Sequence, residues 1–286
     1  MPNPYRDFVS SVSSAMASAK QIPLAQARIA ARPAPAPNAP EVLIFSPHPD
    51  DEAIIGALAL RLLRQSGWRT SNVAVTQGSN KQRQAGRLAE LAACCGAIGF
   101  GLIQTRENGL EGISLKGRAS DPAGWDRSVA RIAAILGEHK PRVILFPHER
   151  DWNGTHIGTH HLVVEALGRM EAGFSCHTVE TEFWGAMDDP NLMVETSEED
   201  LADLMAALSY HVGEVDRNPY HLRLPAWMID NVRRGGEIVG GQGAAVPDFT
   251  FATLYRLRRW RNGRFEPVLA KGRFLAASED PSSLFA

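Results

Sequence analysis

The stretch Val42-Leu43-Ile44-Phe45-Ser46-Pro47-His48-Pro49-Asp50-Asp51-Glu52 constrains this chain more than any other. Its first four residues form a short apolar run with the β-branched and aromatic bias of a buried strand. Pro47 and Pro49 end that strand, because proline cannot donate to a central sheet ladder. From Ala53 onward, Ile54, Ile55, Leu58 and Leu62 recur near the helical period, which predicts a helix over 53–65 closing near Gly67. One imidazole and three carboxyls are thereby compressed into a strand-to-helix turn. In an open parallel sheet, ligands bind at that end of the strands.

The residue types suggest a chemistry. His48 offers a ring nitrogen and Asp51 a carboxylate three residues later, while Asp50 between them is free to point elsewhere. Two metal donors and a spare base are what a hydrolytic metal site requires: the ion acidifies a water and the spare carboxylate takes its proton. The plainer alternative is that Asp50, Asp51 and Glu52 are helix N-terminal acids favoured by the macrodipole. The flanking His-Pro and the histidines far downstream favour the metal reading.

The rest of the pattern alternates. Strands are expected at 72–76, around 100–103 and at 142–147, and helices at 83–95, ending at Gly96, and near 126–138. Strands alternating with helices point to a mostly parallel sheet covered on both faces, an α/β sandwich. No Gly-x-Gly-x-x-Gly follows the first strand, and its acidic turn would repel a pyrophosphate, so a dinucleotide site is excluded. After 175 the pattern becomes β-rich and irregular, with strands expected over 177–184, 192–195 and 250–260 and a helix at 199–210. Residues 217–243 mix aromatics, arginines and glycines and read as a substrate-binding insertion or lid.

Composition narrows the class. The chain has 286 residues, 44% of them hydrophobic, enough for a substantial core. Its formal net charge of -2 gives no electrostatic footprint for nucleic acid. Cys94, Cys95 and Cys176 are too few for a disulfide framework, and the adjacent pair reads as helix packing. No apolar run reaches the ~18 residues of a membrane span, and the N-terminus lacks a signal-peptide pattern; a soluble, cytoplasmic protein is expected. Residues 1–40 read as a weakly amphipathic helix and a Pro/Ala-rich arm, either packed on the domain or used to form a homo-oligomer, and 41–286 as one catalytic domain whose part after 175 serves as a cap and substrate region.

The run Pro47-His48-Pro49-Asp50-Asp51-Glu52 resembles the signature of the PIG-L/LmbE family of zinc-dependent N-deacetylases. The resemblance implies a Rossmann-like fold, His48 and Asp51 as zinc ligands, and Asp50 as general base. It also implies a third ligand from a later motif that usually reads His-Pro-Asp-His. The segment Asp151-Trp152-Asn153-Gly154-Thr155-His156-Ile157-Gly158-Thr159-His160 follows the strand at 142–147, and aligning the motif on it places the third ligand on His156. The family's preceding histidine falls on Asn153, a departure. Asn153 either donates to an oxyanion or caps the helix that carries His156. His160, at i+4, reads as a buried structural histidine or a further ligand. Arg87, in an Arg-x-x-Glu with Glu90, and His211, at the end of an Ala-Leu-x-x-His helix, are the remaining positions that the resemblance brings to the site.

The implied activity is removal of an N-acetyl or other acyl group from an amino sugar or sugar conjugate, with Zn2+, or else Fe2+ or another divalent metal, as cofactor. Trp152 and Trp184 fit sugar stacking. Two rivals stand beside it. One is a metal-dependent hydratase acting on an unsaturated carboxylic acid, with Arg223, Arg233 and Arg234 for the carboxylate; the other is a non-catalytic binding module on the same fold.

Overall fold

The apolar run at 42–45 is the centre of β1 (Glu41–Ser46), which is buried along its whole length. Val42 and Ile44 enter one core cluster and Leu43 and Phe45 another. Burial on both faces is the mark of a central parallel strand. The structure, a computed structural model, describes residues 3–286. Beside β1 lie β2 (Arg69–Ala74) and β4 (Val143–Pro147), with β3 (Gly101–Gln104) outside β2 and β5 (Ser175–Thr181) outside β4, all parallel. The order then continues through β7 (Ala252–Arg261) and β6 (Leu192–Glu195) to β9 (Arg273–Leu275), with β8 (Arg264–Pro267) paired to β7. The β-rich C-terminal part thus extends the same nine-stranded sheet, antiparallel from β5 to β7 and from β7 to β6.

The helices cover both faces, as the alternation predicts. One core cluster joins β1 to α3 (Ala57–Ser66), α4 (Gln84–Ile98) and α8 (Glu198–Leu208); the other joins it to α6 (Pro122–His139) and α7 (Gly154–Leu167). From β1 the chain steps outward to β2 and β3, then returns to place β4 on the other side of β1. The order reverses between β1 and β4, so the crevice lies at their carboxyl ends. Both singled-out motifs follow those two strands.

Several local expectations need correction. The helix expected at 53–65 is two helices, α2 (Asp51–Ile54) and α3, broken at Ile55–Gly56. The buried hydroxyl of Tyr255 donates to Ile55 O and accepts from Leu58 N, filling the gap in the ladder. A Cβ on Gly56 would stand 2.6 Å from Glu52 O, which explains the glycine. The following helix runs through Gly96 and ends at Gly99, whose φ is +81°, because buried Cys94, Cys95 and Ile98 keep the helical face going. A short helix, α5 (Leu115–Ser120), was not anticipated. Most of 217–243 is a regular helix, α9 (Leu224–Gly240), whose Gly235 permits close approach to Met193 and Leu254. The strand expected at 250–260 is β7, which lies between β5 and β6.

At the N-terminus, α1 (Arg6–Ala19) has no buried residue. The segment after it is tied to the body by Tyr210 Oη donating to Ala27 O and by an Arg32–Glu199 ion pair of 2.6 Å. Among the described residues no helix is long and apolar enough to cross a membrane.

Candidate active site

The turn after β1 is shaped by partners from elsewhere. Thr76 donates to Pro47 O through both its backbone nitrogen and its hydroxyl, at 3.2 and 2.7 Å. Arg87, on α4, donates to Pro49 O at 3.0 Å. Asp50 is left with φ +112°, a conformation that non-glycine residues avoid and that costs on the order of 1–3 kcal/mol. Its amide is held by Glu52 Oε2 at 3.0 Å. Asp51 opens α2, and its Oδ2 accepts from His48 N at 2.8 Å.

His48, Asp51 and His156 converge. His48 Nδ1 and His156 Nε2 lie 3.3 Å apart, and each lies 3.4 Å from Asp51 Oδ2. Four ligands at the usual 2.0–2.1 Å around a tetrahedral zinc-type ion are separated by about 3.3–3.4 Å. The triangle therefore has the edge lengths of three such ligands with one position left over, and two imidazoles with a carboxylate is a suitable donor set for a divalent ion. Electrostatics agree. Burial works against charge on both Asp51 and His156, yet each outweighs that for the other: Asp51 is held well below the usual carboxylate range and His156 is raised above the usual imidazole range. The cluster draws in positive charge.

His156 reaches this point from the first turn of α7. Asn153 caps that helix, its Oδ1 accepting from Thr155 N at 2.8 Å. Asp151, in the preceding loop, lies 3.5 Å from His156 Nδ1 and takes the backbone amides of Asn153, Trp184 and Gly185. A carboxylate behind the far nitrogen orients a metal-facing imidazole. The sequence reading assigned Asp151 no role; its place five residues before His156 was the available signal.

Asp50 sits beside the triangle and outside it. Its carboxyl is pushed up to about 7, by burial first and then by the charge of Asp51. Tyr220 Oη donates to its Oδ2 at 2.6 Å, and Arg87 Nη2 lies 3.8 Å from the same oxygen. Burial, then Asp50, raises the Tyr220 phenol and keeps it protonated. Sequence reasoning named Tyr220 only as part of a polar and aromatic segment. His211 is fully buried; its Nε2 meets Glu52 Oε1 at 2.7 Å, and its charge also acts on Asp50 directly, against the rise in that carboxyl's pKa. Burial opposes charge on His211, but Glu52 outweighs it and raises its pKa.

The remaining expected residues scatter. Glu90 does not pair with Arg87 but accepts from Gly213 N at 2.9 Å, anchoring the chain just after His211. His160 lies outside the triangle, with its Nδ1 3.0 Å from Pro147 O and 3.4 Å from Glu180, as a buried structural histidine would. Arg233 and Arg234 are occupied by Asp230 and Glu182. Trp152 is 82% exposed and lines neither cleft that opens beside the triangle. One cleft, of about 470 Å³, has mixed walls, with His48, Lys81, Gln84, Arg87 and Thr155 beside Leu110 and Ile113. The other, of about 260 Å³, is apolar and includes Trp184 and Tyr220.

Residues 43–167 match the PIG-L family, described as GlcNAc-PI de-N-acetylase. That match spans both motifs and bears out the resemblance. No curated protein matches the chain in sequence. Among solved structures the fold is shared with teicoplanin deacetylase Orf2 in its zinc-inhibited form, at 14% identity over 77% of this chain and 98% of that one, TM-score 0.57. N,N'-diacetylchitobiose deacetylase from Pyrococcus horikoshii is similar at 16% identity over 90% and 93%, TM-score 0.54. So is GalB, the 4-carboxy-2-hydroxymuconate hydratase from Pseudomonas putida KT2440, at 15% identity over 76% and 95%, TM-score 0.55.

Proposed function

With residues 43–167 matching the PIG-L family, we propose that this chain is a metal-dependent amide hydrolase that removes an N-acyl group from an amino sugar or a sugar-like conjugate. The observation that carries the reading is the donor triangle of His48, Asp51 and His156, with the carboxyl of Asp50, held by Tyr220, beside it and outside the donor set. Zinc suits the two imidazoles and one carboxylate, and ferrous iron is the alternative. When bound, the ion would supply Lewis acidity, polarising the amide carbonyl and lowering the pKa of a water.

The chain's own groups do the rest. Asp50 takes a proton from the attacking water as the new C–O bond forms. The C–N bond then breaks, and the proton on Asp50 passes to the leaving amine nitrogen, giving a carboxylic acid and a free amine. Tyr220 and the strained backbone of Asp50 fix the direction of its carboxyl. Glu52 holds the Asp50 amide, and His211 holds Glu52 in turn, so His211 is a positioning residue. Arg87 supports Pro49 O from the larger cleft, where it and Lys81 are placed to meet hydroxyl groups of a sugar. Asp151 keeps the His156 ring in place.

The hydratase rival needs cationic groups for a carboxylate substrate; Arg233 and Arg234 are already paired, Lys81 lies 3.3 Å from Glu111 and Arg87 lies 3.8 Å from Asp50 and Glu214, which leaves Arg223. The two readings separate in one assay. Metal-loaded protein is incubated with a panel of N-acyl amino sugars and, in parallel, with unsaturated dicarboxylic acids. Free amine should appear in the first set. Loss of the alkene absorbance in the second, without amine release in the first, would replace hydrolysis by hydration.

A further inference from the structure

The apolar cleft is connected to the reacting groups at three points. Phe183 stands edge-on to the His156 ring, with centroids 4.5 Å apart. Tyr220 holds Asp50 with its hydroxyl while its ring forms part of the cleft wall. Ile54 is three residues beyond Asp51. From there Trp184, Leu224 and Trp227 continue the wall, and Arg223 is its one charged residue. Trp184 remains 53% exposed and meets Tyr220 edge-on at 6.1 Å. Two environments thus adjoin the triangle, a cleft of about 470 Å³ that includes His48 and carries most of the polar groups, and a strongly apolar one of about 260 Å³ that includes Tyr220.

An amide has two parts to place. The sugar-like amine carries hydroxyls and fits the more polar cleft, which leaves the acyl group for the apolar one. An acetyl methyl is about the size of one water, ~30 Å³, and would fill roughly a tenth of that space. Two tryptophans, a phenylalanine and a leucine beside a reacting centre are more than a methyl group requires. We propose that this cleft is an acyl-chain subsite and that the group removed is a medium-length hydrocarbon acyl rather than acetyl. The inference rests on the amide-hydrolase reading, and the reaction keeps the same balance: the water oxygen adds to the acyl carbon, the C–N bond breaks, and the proton that Asp50 took from the water reaches the amine.

The test is a series on one amine: N-acetyl, N-butanoyl, N-hexanoyl and N-octanoyl glucosamine, with metal-loaded protein and free amine as the readout. Each methylene that enters the subsite should raise kcat/KM about fourfold, mostly through KM, until the cleft is full. N-octanoyl should exceed N-acetyl by at least ~100-fold. Trp227→Ala should reduce that ratio at least tenfold. Trp184→Ala, which alters a half-exposed side chain, should reduce it as well and guards against a folding artefact. Equal kcat/KM across the series, or the same ratio in both variants, overturns the subsite while leaving the hydrolase reading standing. Faster cleavage of N-acetyl octylamine than of N-octanoyl glucosamine overturns it too, since the hydrocarbon would then belong to the amine side. No amine from any member would sink the hydrolase reading and the subsite with it.

Discussion

Removing one hydroxyl, in Tyr220→Phe, isolates the part that Tyr220 plays. The ring stays, so the wall of the apolar cleft is unchanged and only the 2.6 Å hydrogen bond to Asp50 Oδ2 is lost. A hydrogen bond to a charged group contributes about 1.5–3 kcal/mol. Asp50 needs that restraint: its φ of +112° is strained, Glu52 holds only its backbone amide, and Arg87, hydrogen-bonded to Pro49 O, comes no nearer to the carboxyl than 3.8 Å. If the bond serves wholly to aim the base, its loss raises the barrier by the same amount, and kcat falls by about 10–150-fold. KM should move less than threefold, because the contact surface is intact. The assay is steady-state amine release, with metal content and melting temperature measured on the same preparation. A kcat within twofold of wild type at unchanged metal content refutes the reasoning and leaves Tyr220 as a wall residue only.

Three further outcomes follow from the geometry. Asn153→Ala removes the cap of α7 and should cost about 1 kcal/mol of stability, read from the melting temperature, with turnover within a few-fold of wild type; a ~10²–10³-fold fall at constant metal content would instead place its amide on the oxyanion. Arg61 is fully buried in α3 and donates to the carbonyls of Glu195, Ala276 and Glu279 at 2.8–2.9 Å. Arg61→Met fills the volume but orphans those acceptors, so urea unfolding should show a loss of roughly 3–5 kcal/mol, and a loss under 1 kcal/mol would contradict this account. Burial first, then Arg142 and Arg259, pushes His177 down to about 4. The unfolded chain takes up that proton near pH 6.5, so the contribution of neutral His177 is complete above ~6.5 and is lost as pH falls toward 4. The acid limb of melting temperature against pH should be shallower in His177→Gln, and an unchanged limb would remove His177 as its source.

The parts of the fold and site that were legible are those whose signal is local. The Val42–Phe45 run, the prolines and the acidic turn lie within eleven residues, and the second cluster repeats the logic after another apolar strand. That the two turns lie on one edge of the sheet follows from the alternating pattern; the order reversal that makes their strands neighbours does not. What escaped depends on distant chain. The break between α2 and α3 is made by Tyr255, 200 residues downstream, and no periodicity within 53–65 reports it. The partner of Asp50 comes from Tyr220, 170 residues away. Gly96 looked like a helix end, but the positive φ belongs to Gly99; a glycine marks a stop only where the backbone turns left-handed. The glycines and aromatics of 217–243 suggested a lid, yet Gly235 serves the packing of a helix against Met193 and Leu254 of the sheet. Arg233 and Arg234 looked available because their acidic partners cannot be identified from spacing alone.

The central claim is that one divalent ion is held by His48, Asp51 and His156, with Asp50 beside it as the base. Elemental analysis of metal per chain in wild type, His156→Ala and Asp50→Asn tests it most directly. The expected result is about one ion in wild type, little or none in His156→Ala, and wild-type content in Asp50→Asn, whose amide turnover should nonetheless be ~10²–10⁴-fold lower. Wild-type metal content in His156→Ala, or loss of the ion from Asp50→Asn, would contradict the assignment.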